Sequence, residues 1–133
     1  YFQEYVIDNR SAFLATDLLS GTAVIDGTHS NHSSYVRSAS FNNTEVHYNL
    51  ACELEAIGIV IDLEANDTFP EAGVIEGTVS GSYERITSFS HVTKKLYFHF
   101  TATYIGDNTA EIELSDGTIF SVHLGSGAVT ELD

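Results

Sequence analysis

Three residues in the second half of the chain carry side chains that could perform chemistry together, namely His99, Glu111 and His123. Apolar and polar residues alternate around them, which predicts that all three lie on one face of neighbouring strands. Two imidazoles and a carboxylate could bind zinc or non-haem iron. If that face lined an enclosed pocket, the same groups could act as general acid and base. The competing interpretation is a solvated outer face, because no ligand-spacing motif accompanies the three residues.

The segment that positions these residues, Lys94 to Leu124, has the clearest pattern in the chain. Two turn sequences divide it, Gly106-Asp107-Asn108 and Ser115-Asp116-Gly117. The pattern predicts a three-stranded antiparallel meander with three-residue loops, in which every apolar stripe lies on the same face. The apolar residues at alternate positions are Leu96, Phe98, Phe100, Ala102, Tyr104, Ala110, Ile112, Leu114, Phe120, Val122 and Leu124.

A second group of oxygen donors consists of Asp62, Glu64, Asn66 and Asp67. Their spacing is similar to the start of a calcium-binding loop, but the glycine at the sixth position and the glutamate at the twelfth are missing, which excludes an EF-hand. A looser calcium site between strands remains open. No other cofactor is expected.

The remaining sequence predicts further strands. Strict alternation runs from Val46 to Leu54, and its parity changes beside Gly58, which predicts a β-bulge or a bend. Glycines at every fourth position between 73 and 81 predict strong coiling. Residues 4–19 are expected to form a strand, or a short helix that leads into one. Residues 28–43 show no period and are expected to form a loop, with an edge strand near 35–41.

These features together predict an all-β fold. Short strands with turns at close intervals favour an antiparallel barrel-like fold or a strongly curled β-sandwich of about seven to nine strands, ending in the meander of residues 94–124. At 133 residues the chain is expected to be a single domain, residues 1–133. Tyr1-Phe2-Gln3 is similar to the remnant of a cleavable expression tag.

Composition narrows the function classes. The formal net charge of -14 argues against nucleic-acid binding, which requires a basic surface. No apolar run is long enough for a membrane-spanning helix, so membrane insertion is not expected. Cys52 is the only cysteine and lies on an apolar stripe, where a thiol is expected to be inert.

The leading hypothesis is a non-enzymatic β domain of an exported or cell-surface protein, with a periplasmic location left open, that binds a protein or a small molecule. Tyr35, Tyr97 and Tyr104 are the candidate contacts, because tyrosine offers a large amphipathic surface at low entropic cost. The first alternative is a small β-barrel enzyme, an isomerase or a hydrolase, that uses His99, Glu111 and His123. The second is an acidic inhibitor or mimic protein that occupies a basic site on another protein. The oligomeric state is left open.

Overall fold

The computed structural model describes residues 2–65 and 69–133, and almost all of them belong to one antiparallel sheet. Eight strands follow one another in the sheet in the same order as in the chain. A single 3₁₀ turn, Leu18–Ser20, connects the first two strands. The strands are β1 (Phe2–Thr16), β2 (Thr22–Ala39), β3 (Thr44–Asp62), β4 (Ala72–Ile86), β5 (His91–Gly106), β6 (Thr109–Leu114), β7 (Ile119–His123) and β8 (Val129–Leu132).

The predicted fold class is confirmed, since the described chain is an antiparallel all-β fold whose strand number lies within the predicted range. The strands form one curled sheet that does not close, because β1 and β8 are its two edges and do not pair with each other. The meander of residues 94–124 is also confirmed as β5, β6 and β7, and β8 adds one more strand beyond it.

The two turns of the meander differ slightly from one another. Asp107 and Asn108 both have positive φ angles, 52° and 55°, and Tyr104 pairs with Ala110 across them. This is a two-residue turn of the type that matches strand twist, followed by a local shift in register rather than a plain three-residue loop. The second turn spans residues 115–117, as predicted, and is closed by a 2.9 Å hydrogen bond from the Leu114 amide to the Thr118 carbonyl.

Directly paired residues lie on the same face of a sheet, so the register divides the side chains into two sets. One set, which we call the apolar face, holds most of the aliphatic and aromatic side chains of β3 to β7. The other, which we call the polar face, holds most of the charged and hydroxyl side chains. The predicted parity of the meander is therefore confirmed, since its three apolar stripes all lie on the apolar face.

The buried core of the described chain is small and lies entirely on the apolar face. No large side chain is completely buried, and three of the five buried apolar residues are alanines. Large side chains on the same face, such as Leu50 and Leu96, stay about half exposed, so the described residues cover this face only in part. The five residues are Ala23, Val46, Ala56, Ile59 and Ala110.

Two features of the glycine pattern give the sheet its curl. The predicted bulge beside Gly58 is confirmed by a register shift between Ile57 and Val60 and by a Gly58 φ of 58°. Asp26 accepts a 2.7 Å hydrogen bond from the Gly58 amide, which satisfies a donor released from the strand ladder. Further along β4, the Phe100 ring lies where a side chain at Gly77 would be. The coiling predicted for β4 thus coincides with a position where the Phe100 ring packs directly against Gly77.

The loop predicted for residues 28–43 was wrong for residues 28–39, and the strand expected near 35–41 is present at 35–39 but is not at an edge of the sheet. Residues 28–39 are the second half of β2, an interior strand that pairs with β1 on one side and β3 on the other. Backbone hydrogen bonds to two neighbours hold this polar segment extended despite its lack of apolar alternation. In contrast, the preference for a strand in residues 4–19 is confirmed by β1.

Candidate functional site

The strongest candidate site is a row of four tyrosines that crosses the apolar face. Tyr5, Tyr35, Tyr48 and Tyr83 lie on β1, β2, β3 and β4, and each is paired directly with the next. Their Cβ atoms are therefore only about 5 Å apart from strand to strand. We call these four residues the tyrosine row. It is the longest run of aromatic rings in contact within the described chain.

The rings of the tyrosine row pack at an angle rather than flat. Their centroids lie 6.3 Å apart for Tyr5 and Tyr35, 5.9 Å for Tyr35 and Tyr48, and 5.0 Å for Tyr48 and Tyr83. The angles between ring planes range from 44° to 62°. Such tilted contacts are favourable for aromatic quadrupoles and hold the rings in place. The row is therefore an ordered surface, although two of its members, Tyr5 and Tyr48, are exposed.

A groove of about 450 Å³ runs beside the tyrosine row. Its floor forms where Gly81 carries no side chain, between Leu50 on β3 and Leu96 on β5. Lys94, which is paired with Tyr83, lies at one margin. The volume falls in the range of small-molecule sites, but the groove is open and would cover only one side of a ligand.

Charge is distributed unequally between the two faces. Lys94, Arg37 and Arg85 lie on the apolar face at the end that holds the tyrosine row. Among the strands of the described residues, the only carboxylate on this face is that of Glu131 in β8. The carboxylates of β1 to β6 all lie on the polar face: Glu4, Asp8, Asp26, Glu45, Glu53, Glu55, Asp62, Glu76, Glu84, Glu111 and Glu113.

Two pairs of polar side chains on the apolar face are hydrogen-bonded to each other. Asn31 donates to the side-chain oxygen of Asn9, and His29 Nδ1 shares a 2.5 Å hydrogen bond with Ser11 Oγ. Both pairs join β1 to β2 across the sheet. Because their polar groups already have partners within the chain, a covering surface would not have to supply all of their hydrogen bonds.

The three tyrosines predicted as contacts do not form one site. Tyr35 lies in the tyrosine row, and Tyr104 lies on the same face but near its opposite end, paired with Gly73. Tyr97 lies on the polar face and is 71% exposed. The sequence analysis missed the other three members of the row, Tyr5, Tyr48 and Tyr83. A recognised turn at residues 40–43 would have paired Tyr35 with Tyr48, but that segment was interpreted as part of a loop.

His99, Glu111 and His123 share the polar face as predicted, but they are spread along it. Glu111 is paired with Thr103, which lies four residues beyond His99 and therefore about 13 Å further along the strand. His123 is paired with Thr109 and is a diagonal neighbour of Glu111.

The exposed His123 ring has a local partner. Its Nδ1 accepts a 3.1 Å hydrogen bond from the Ser126 amide and lies 3.0 Å from the Ser126 hydroxyl. These bonds join the His123 ring, at the end of β7, to the turn that follows, and His99 lies outside that hydrogen-bonded group. The geometry thus brings together only two of the three proposed catalytic residues, Glu111 and His123.

The calcium hypothesis falls partly outside the described residues, since Asn66 and Asp67 are not described. Of the other two candidates, Asp62 accepts a 2.9 Å hydrogen bond from the Glu64 amide. Across residues 2–65 and 69–133, no three His, Cys, Asp or Glu side chains lie close enough together to hold a metal ion. The Asp62 carboxylate thus orders the local turn, and calcium binding stays a prediction.

The polar face contains its own pairs of titratable groups. Glu84 on β4 is paired with His47 on β3, and its Oε2 lies 2.9 Å from His91 Nε2 on β5. Glu55 and Glu76 are directly paired as well, which places two like charges side by side. A concave region of about 570 Å³ includes both of these glutamates and His99. Its chemistry suits a cationic partner, because carboxylates predominate.

Comparison of the chain with protein-family models, curated proteins and solved structures finds no match. Among the described residues, no helix has the length and apolar character needed to cross a membrane. The functional argument therefore depends on the geometry of the sheet.

Proposed function

We propose that this chain is a non-enzymatic binding module of an exported or cell-surface protein, and that its apolar face is the binding surface. The observation that carries the proposal is the tyrosine row beside an open groove, on a face that the described residues cover only in part. The exported location rests on the acidic composition, which suits solubility outside the cell.

The tyrosine row supports binding because its rings are held by one another before any partner arrives. Ordered aromatic side chains lose little entropy on binding, and tyrosine supplies both apolar area and a hydroxyl. Next to the row, Leu50 and Leu96 are 48% and 54% exposed, which is unusual for large aliphatic residues on the packing face of a sheet. An apolar surface of the partner would remove this area from water.

The enzyme alternative has weaker support. Acid and base groups must lie within hydrogen-bond reach of one substrate, whereas His99 is separated from Glu111 by about 13 Å along its strand. The inhibitor alternative has a specific observation in its favour, because the carboxylates of β1 to β6 share the polar face. In that case the polar face would bind a basic partner, and the complex would weaken as salt concentration rises.

A dye titration in dilute solution tests the proposed surface. Anilinonaphthalene sulfonate is apolar and anionic, so it should bind the groove near Lys94 and avoid the acidic polar face. Leu50→Glu should reduce its binding roughly 10-fold or more, because it places a carboxylate in the apolar floor.

Ala51→Glu is the matched control, because Ala51 is the next residue in β3 and lies on the polar face. The control should bind the dye as the unmodified chain does. Equal dye binding in both variants would refute the assignment of the apolar face as the binding surface. Circular dichroism would confirm that each variant retains the sheet.

A further inference from the structure

The exposed area of the chain is too large for a compact monomer. The chain exposes 8755 Å² to solvent. A folded monomeric protein of 14.5 kDa exposes about 6,900 Å². The excess is about 1,900 Å² by the same relation. Only five apolar residues are buried in the part of the chain that the structure describes. A single layer of sheet thus leaves unburied much of the surface that normally stabilises a domain of this length.

We infer that the apolar face is covered by the same face of a second copy of this chain, which forms a two-layer β-sandwich dimer. This inference rests on the proposed function, since it names the partner of the same binding surface. If each copy loses the excess area, the interface buries about 3,800 Å² in total, within the range of obligate homodimers. Two identical sheets also share one twist, which is the condition for aligned face-to-face packing about 10 Å apart.

The distribution of charge selects which faces meet. Packing two polar faces together would bring many carboxylates into one interface, including the directly paired Glu55 and Glu76. Packing an apolar face on a polar face would leave another apolar face free and would continue into an open stack. Only apolar-to-apolar packing covers both apolar faces and closes at two copies.

The basic residues of the apolar face also restrict the orientation of the two copies. Arg37, Arg85 and Lys94 lie at the end of the sheet that holds the tyrosine row. A two-fold axis perpendicular to the strands places this end over the opposite end of the second copy, where Ile25 and Ile59 are paired. The long basic side chains can then extend to the rim, and the two basic clusters remain apart.

Sedimentation equilibrium over a range of protein concentrations tests the dimer. The expected mass is twice the 14.5 kDa of one chain. Leu96→Glu should weaken the association roughly 100-fold or more, because the new carboxylate would be buried without a partner. Tyr97→Glu is the control, since Tyr97 is the next residue in β5, is 71% exposed and lies on the polar face. That variant should remain a dimer.

The outcomes separate this inference from the proposed function. A monomer at every concentration, with dye binding that Leu50→Glu still abolishes, overturns the dimer and leaves the binding surface in place. A dimer that Leu96→Glu does not weaken places the interface elsewhere and overturns the inference. An assembly larger than two copies does the same. Dye binding that decreases as the unmodified chain associates supports both, since the second copy and the dye then compete for one face.

Discussion

Gly77 provides the sharpest test of how the sheet is packed. An ideal Cβ atom at this position would lie 2.6 Å from the carbonyl oxygen of Glu53 and 2.6 Å from the Phe100 ring. Real Cβ atoms do not approach neighbours this closely, so β3 or the ring would have to move. Gly77→Ala should therefore cost about 1–3 kcal/mol of unfolding free energy, the usual penalty for overpacking.

Gly81 is the matched control, four residues along the same strand and on the same face. A Cβ atom there would lie 3.5 Å from the Asn49 carbonyl oxygen and 3.6 Å from the Leu50 side chain, which is ordinary van der Waals contact. Gly81→Ala restricts the unfolded chain and should stabilise the protein by about 0.4–1 kcal/mol. The two substitutions should thus change the free energy of unfolding in opposite directions and differ by about 1.4–4 kcal/mol.

Urea unfolding at one fixed protein concentration would measure both effects, with the midpoint and slope compared between variants. In thermal unfolding, each kcal/mol corresponds to roughly 4 °C in Tm for a chain of this length. A double-mutant cycle with Phe100→Leu would show how much of the Gly77→Ala penalty comes from the ring. The reasoning fails if Gly77→Ala is neutral, or if Gly81→Ala is equally destabilising, because close approach would then not distinguish the two sites.

Two further predictions concern the carboxylates. The Asp116 carboxylate accepts a hydrogen bond from the Thr118 backbone amide, which has the larger effect, and a second one from the Thr118 side chain. Both bonds lower the pKa of the Asp116 carboxyl below 3.8. The contribution of Asp116 to stability is thus present above pH 3.8 and lost as pH falls through the folded-state pKa. A titration of the carboxyl group by NMR should give a midpoint below 3.8, and Thr118→Ala should raise that midpoint. The second prediction is that polylysine binds the polar face in low salt and dissociates by about 0.5 M salt. Glu76→Gln, on the polar face, should weaken this binding more than Glu131→Gln, on the apolar face. Equal effects of the two substitutions would argue against the polar face as the binding surface.

The alternation of apolar and polar residues was sufficient to predict the strands from β5 to β7. Strict alternation, with glycine or asparagine at the turns, determined the strands and faces of β5, β6 and β7. The change of parity beside Gly58 likewise located the bulge in β3. In these segments local propensity and tertiary packing agree, because one face of each strand is apolar and the other polar.

β2 was not predictable in this way, because both of its faces are polar between Thr28 and Ser34. Its strand conformation depends on backbone pairing with two neighbours and on side-chain partners that are distant in the sequence. Asn31 and His29, for example, bond to Asn9 and Ser11 on β1. The residue pattern of one segment gives no information about such distant partners. Pairing with the neighbouring strands therefore outweighed the local preference of this segment for a loop.

The tyrosine row was missed for the same reason. Its four members are isolated tyrosines in sequence, and they meet only when the registers of three successive hairpins are known. Since the turn at residues 40–43 was not recognised, Tyr35 could not be paired with Tyr48. His99, Glu111 and His123 show the opposite limit: their common face followed from parity, but their separation depended on where each strand begins.

The separation of charge between the faces accounts for both the solubility of the sheet and its tendency to associate. The carboxylates of β1 to β6 keep the polar face hydrated and prevent two such faces from meeting. The apolar face then carries the tyrosine row, Leu50 and Leu96 with much of their area exposed, while only five apolar residues of the described chain are buried. Each copy has one apolar face, and its polar face repels the polar face of another copy. Association through the apolar faces therefore stops when two copies cover each other. A chain with this pattern therefore needs a partner to complete its core, and a second copy of the same chain can be that partner.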